Sequence, residues 1–313
     1  LRSVLVTNRH RSKKTYETTT TASEVSNSRS QRDEDVRVEK PSQDPSGDSV
    51  SRESKVRVPV QQEGTRLNSS DHGTGPGWRY VAAKAVGKSH VKSETQCQDA
   101  YACVINDEGW LVIAVADGAG SAKLSHIGSE AAVEAAVKSL ARCRVNTCED
   151  LLPVLREAYT VSRERVFAEA KSRSLDARDL ASTLLLFVAG PGGSGAAHVG
   201  DGVIATCQEG RQWNWLFWPA HGEYVNTTQF LTDDDALETV RFSCSSEIPQ
   251  EIAVMTDGLE HAALDLKNAS VHLPFFEPLM GQVKPAQSDL QLEKVARELG
   301  EWIGSEGVGS RTD

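Results

Sequence analysis

WLVIAVADG (Trp110–Gly118) runs without a break through apolar residues from Leu111 to Ala116 and then stops on Asp117 and Gly118. An apolar run of this length fits a buried strand, and a glycine after the acid permits a tight exit that leaves the carboxylate at the rim of a sheet. The same grammar returns twice, in AAHVGDG (Ala196–Gly202) and IAVMTDG (Ile252–Gly258), giving Asp201 and Asp257 the same station. Asp-Gly also makes the tight turn of a two-residue β-hairpin, so one such pair says little. Three of them, with a further acid upstream in CQDAY (Cys97–Tyr101), point to one shared site for a hard divalent cation, because strand-end carboxylates supply the oxygen ligands it takes.

Working outward, further apolar or alternating segments at Arg79–Val86, Ala100–Ile105, Thr183–Ala189, Ala196–Val199, Val203–Gln208 and Gln212–Phe217 read as strands, with more near Val240–Cys244 and Ile252–Met255. Helical spacing is expected over Ile127–Leu140, Leu151–Ser172, Phe275–Val283 and Asp289–Ile303. Strands, a helical pair, more strands and a final helical pair make an α+β order rather than regular β-α alternation.

The chain has 313 residues, room for one large domain with a tail. Leu1 to Gly77 is dense in Ser, Thr and charge with almost no aromatic residues, and is expected to be a disordered arm, leaving 78–313 as the folded domain. The arm carries 13 Lys and Arg against 11 Asp and Glu, so 21 against 33 remain in the domain, a net charge of −12. That balance disfavours a nucleic-acid surface and suits a cation site and basic protein partners. No apolar run approaches the length of a membrane span and the N-terminus has no apolar leader, so a soluble, cytoplasmic protein is expected; it is also expected to be a monomer. The six cysteines show no CxxC spacing and read as reduced, mostly buried thiols, with Cys143 and Cys148 poor candidates for zinc.

Taken in order, Q-D-A, A-D-G-A-G, G-D-G and T-D-G resemble the metal-dependent serine/threonine protein phosphatases of the protein phosphatase 2C (PPM) family. GKSHVKSETQCQDA (Gly87–Ala100), HGEYVNTTQFLTD (His221–Asp233) and FFEPLM (Phe275–Met280) look like its bacterial branch, and the resemblance runs from about Tyr80 to the end. It implies a four-layer α-β-β-α sandwich, two mixed or antiparallel sheets flanked by helix pairs, with the metal site at one end. It also implies hydrolysis of phosphoserine and phosphothreonine in proteins by a metal-bound hydroxide, in opposition to a Ser/Thr kinase. The ions would be Mg²⁺ or Mn²⁺, two of them with a third held more weakly. By the same resemblance Asp117 bridges two ions with the Gly118 carbonyl on the second, Asp257 binds the first, Asp99 the second and Asp201 the third.

Three departures stand out. Where relatives grip the substrate phosphate with an arginine, this chain has Gly87-Lys88-Ser89-His90, so His90 or Lys88 inherits the task. No histidine follows the first Asp-Gly closely; His126 substitutes only if the loop folds back, and the general acid is left open. The final acidic pair is cut short at Asp313, which is either the last ligand of the first ion or the acid just before it. These departures support a rival, a pseudo-phosphatase that binds phosphoprotein or regulates a kinase without turnover. A more distant rival is a calcium-stabilised binding domain. Trp213, Trp215 and Trp218 are expected to be core and cover residues, with His221–Phe230 facing substrate.

Overall fold

The computed structural model describes the backbone of residues 2–8 and residues 70–84, 97–208, 212–219 and 228–305 in full. Among the described residues there are thirteen strands: β1 (Arg2–Asn8), β2 (His72–Gly75), β3 (Trp78–Lys84), β4 (Ala100–Ile105), β5 (Leu111–Ala116), β6 (Leu184–Gly190), β7 (Gly193–Val199), β8 (Val203–Cys207), β9 (Trp213–Trp215), β10 (Arg241–Ser245), β11 (Glu251–Met255), β12 (Leu264–Asp265) and β13 (Ser270–Val271). The long helices are α1 (Ser125–Leu140), α2 (Leu151–Ser172), α3 (Leu273–Val283) and α4 (Asp289–Ile303).

Apart from the small pair β12-β13, the strands form two sheets. One has the order β2-β3-β1-β11-β8-β9 and the other β10-β7-β6-β5-β4. Every pairing among the described residues is antiparallel, which narrows the expectation of mixed or antiparallel sheets to the second. The layers follow from side-chain alternation along strands buried on both faces. In β5, Leu111, Ile113 and Val115 enter the core between the sheets, whereas Val112, Ala114 and Ala116 enter the core under α1 and α2. In β11, Ile252 and Val254 join the inter-sheet core while Ala253 and Met255 pack toward α3 and α4. Three apolar layers thus hold four layers of secondary structure, the expected α-β-β-α sandwich. Continuous apolar runs occur here because helices cover the outer faces, so neither side of these strands meets water.

Several expected boundaries shift. The arm was expected to run unbroken to Gly77, yet Arg2–Asn8 forms a strand held on both sides, by β3 and β11, and His72–Gly75 pairs with β3. Residues 9–69 lie outside the described residues. β7 begins at Gly193 rather than Ala196, its Gly-Ser-Gly lead paired with β6 and β10. β9 covers only Trp213–Trp215 of the expected Gln212–Phe217. Trp213 stacks on Phe276 at a centroid distance of 4.5 Å and is core, whereas Trp215 and Trp218 meet edge-on at 5.2 Å nearer the surface. The six cysteines are free, with Cys103, Cys143 and Cys148 buried. Among the described residues no helix is long and apolar enough to cross a membrane.

Candidate metal centre

Strand register brings the four aspartates to one end of the sandwich. Ala100, the first residue of β4, pairs with Ala116, the last of β5, so Asp99 and Asp117 leave neighbouring strands side by side. Met255 pairs with Val203, so Asp257 and Asp201 flank the matching end of the other sheet. Residues 200–202, which carry Asp201, are the link from β7 in one sheet to β8 in the other.

Local hydrogen bonds fix this end. The Asp117 N–H donates to Thr183 Oγ1 at 2.9 Å, and the Thr183 N–H returns a bond to the Asp117 carbonyl at 2.8 Å. The Ala119 N–H donates to the Ala181 carbonyl at 2.9 Å, extending the clasp past the end of β5. Gly118 sits in a cradle that a side chain would fill: a Cβ there would stand 2.7 Å from the Gln98 carbonyl oxygen and 2.7 Å from Ser125 Cβ. The Gln98 carbonyl is itself capped by Ser129 Oγ at 2.6 Å, so the segment leading to Asp99 is pinned to α1. In the link between the sheets, Gly200 has φ +108° and faces Thr183, while Gly202 packs on the Met255 carbonyl; a Cβ at either would come within 2.7 Å of its neighbour.

Asp99 is buried, Asp117 is partly exposed and Asp257 is open to solvent. Asp117 lies within hydrogen-bonding reach of both Asp99 and Asp257. Burial first, then the negative charge and hydrogen bonds of Asp99 and Asp257, hold its carboxyl well above the ordinary carboxylate range. As it stands, no trio of His, Cys, Asp or Glu among the described residues is arranged to hold a metal ion. Asp117 instead meets both of the other carboxyls. Ionised together at such close range the three repel one another, and a divalent cation with hard oxygen ligands relieves that repulsion. The donor set therefore fits Mg²⁺ or Mn²⁺. Asp201 is held separately, its Oδ2 accepting from Thr228 Oγ1 at 2.5 Å.

A family profile described as Protein phosphatase 2C matches residues 86–302. The chain belongs to the protein phosphatase 2C family. It is 34% identical over 242 residues to Serine/threonine-protein phosphatase 3 of Escherichia coli (strain K12), covering 75% of this chain and 94% of that protein. Among solved structures it resembles the serine/threonine phosphatase Stp1 from Staphylococcus aureus, at 12% identity and TM-score 0.49 over 70% of this chain and 86% of that one. The catalytic domain of the phosphatase PstP in complex with two manganese ions aligns at 14% identity and TM-score 0.45, over 69% of this chain and 88% of that one.

Of the site residues expected for this protein phosphatase 2C domain, Asp99, Asp117 and Asp257 come together and Asp201 stands at the same end under Thr228. Lys88, His90 and Asp313 lie outside the described residues, as do residues 221–227. The loop after Gly118 does fold back, since Ser125 at the start of α1 lies against Gly118, and His126 follows it, partly exposed. Sequence reasoning missed Thr183, whose side chain orients Asp117, and His198, which bonds the turn that carries Asp201. Thr183 lay inside an apolar run and His198 stood alone in another, so neither carried a spacing signal.

Proposed function

We propose that this chain is a serine/threonine protein phosphatase that hydrolyses phosphomonoesters with the help of Mg²⁺ or Mn²⁺. The observation that carries the reading is the carboxyl trio at the strand ends, with Asp117 between Asp99 and Asp257. Family membership and the relative named as a serine/threonine-protein phosphatase support it. Asp99, Asp117 with the Gly118 carbonyl, and Asp257 would hold two ions, and Asp201 a third, weaker one. Divalent ions at such a site make water a stronger nucleophile at neutral pH and neutralise charge on phosphoryl oxygens.

The chain's own contribution is preorganisation. Thr183 and the Gly118 cradle fix the backbone of Asp117 at the end of its strand before substrate arrives. Partial exclusion of water around Asp99 and Asp117 strengthens their interaction with a cation. The acidic surface attracts a basic stretch around the phosphorylated residue. His90 is the residue proposed to grip the phosphate, Asp313 a last carboxylate of the first ion, and a Ser/Thr kinase the opposing enzyme of a monomeric phosphatase.

The test is Mn²⁺-dependent dephosphorylation of a phosphothreonine peptide by the full chain, with Asp257→Asn as control. Turnover that disappears in Asp257→Asn is the expected result. A folded chain that binds the peptide without turnover would replace this reading by the pseudo-phosphatase.

A further inference from the structure

His198 is fully buried, yet both ring nitrogens are engaged. It is the penultimate residue of β7, and alternation turns it into the space between the sheets: Ala197 and Val199 pack on the helix side, Ala196 in the inter-sheet core. Nε2 lies 2.8 Å from the Gly202 carbonyl, which can only accept, so Nε2 carries the hydrogen. Nδ1 lies 2.8 Å from Arg241 Nη2, which can only donate. One neutral tautomer satisfies both bonds. Arg241 stands opposite His198 in the β10-β7 register. Its Nη1 donates to the Trp218 carbonyl at 2.8 Å and its guanidinium stands 5.3 Å from the centre of the Phe217 ring.

A buried imidazole joined to a guanidinium is a costly way to fill space that aliphatic side chains fill without desolvating polar groups. What the pair adds is orientation. One end fixes the carbonyl of Gly202, the residue after Asp201; the other fixes Trp218. Thr228 binds Asp201 directly. A continuous chain of hydrogen bonds thus runs from Trp218 through Arg241 and His198 to the turn that bears Asp201.

We infer that His198 and Arg241 are positioning residues for Asp201, fixing through the Gly202 carbonyl the turn that presents its carboxylate to a divalent cation. The inference rests on the reading of Asp201 as the ligand of a weakly bound ion. Outer partners of a metal ligand commonly set its affinity by tenfold or more.

Direct Mn²⁺ titration of the full chain, following the electron paramagnetic resonance signal of free Mn²⁺, separates the two ideas without measuring turnover. Asp201→Asn is expected to abolish the weak class of sites and spare the tight one. His198→Phe, which keeps a ring but no hydrogen bonds, is expected to weaken the weak class about tenfold. His198→Gln, able to donate to Gly202 and accept from Arg241, is expected to restore most of that affinity even where its melting temperature is as low as that of His198→Phe. Restoration that tracks binding rather than melting marks positioning and not mere packing. Should His198→Phe fail to fold, Arg241→Lys carries the same expectation. Weak-class affinity unchanged in His198→Phe, or in Arg241→Lys, while Asp201→Asn loses it overturns the positioning role. Weak-class affinity unchanged in Asp201→Asn overturns the assignment of Asp201 and the inference with it.

Discussion

A Cβ at position 118 would press on the Gln98 carbonyl and on Ser125 at once, and both neighbours lead into anchored structure, one toward Asp99 and the other into α1. Gly118→Ala must therefore spread the two aspartate-bearing segments apart. We expect a stability loss of about 1–3 kcal/mol by thermal denaturation, with weaker Mn²⁺ binding by titration. Asp117 makes a second prediction at this scale. Its folded-state value is raised, so the folded chain holds that proton more tightly than the unfolded chain does. Without metal, this contribution is fully present below the ordinary carboxylate range and is lost as pH rises through the raised value. The melting temperature in chelator should fall as pH rises above the ordinary carboxylate range. Saturating Mn²⁺ should remove the fall, and Asp117→Asn should flatten it. Asp117, Asp201 and Asp257 were legible because each ends an apolar run, and Asp99 because it stands just ahead of one. His198 was not, because its partner Arg241 is 43 residues away and no local pattern links them.

Strand β1 shows what an element owes to its neighbours. RSVLVTN offers only Val4, Leu5 and Val6 as a run, set among Ser, Thr and Arg like the rest of the arm. It becomes a strand because β3 and β11 each present an unpaired edge to it, a tertiary circumstance that local propensity does not encode. The helices and the central strands β5, β6 and β11 were readable for the opposite reason, since their apolar spacing is itself the record of the faces they bury. Because β1 is paired along both edges, a proline inside it removes a ladder hydrogen bond with no solvent side to turn to. Leu5→Pro is expected to cost about 2 kcal/mol or more, read as a lower melting temperature; no change would mean that the strand contributes nothing to the sheet.

For the molecule as a whole, the excess of acidic residues gives a net charge of −10, concentrated after residue 77. Substrates should feel it before they touch the site. A phosphothreonine peptide flanked by Lys and Arg is expected to show a lower KM than one flanked by Asp and Glu, and the gap should close as salt is raised and the charges are screened. Equal KM values at low salt would show that the approach to the site is not steered by charge.

Ser3 in β1 pairs with Met255 in β11, and β11 also carries β8 on its other edge. The sheet that ends in Asp257 thus has its centre built from two segments far apart in sequence, whereas β4 to β7, with α1 and α2, are close together in sequence. On a translating ribosome β4 to β7, with α1 and α2, are already made while β1 still waits for β11. Contacts so distant in sequence close slowly. The candidate site is therefore assembled only after β11 has been made and has found β1, however early the segments of Asp99 and Asp117 have folded.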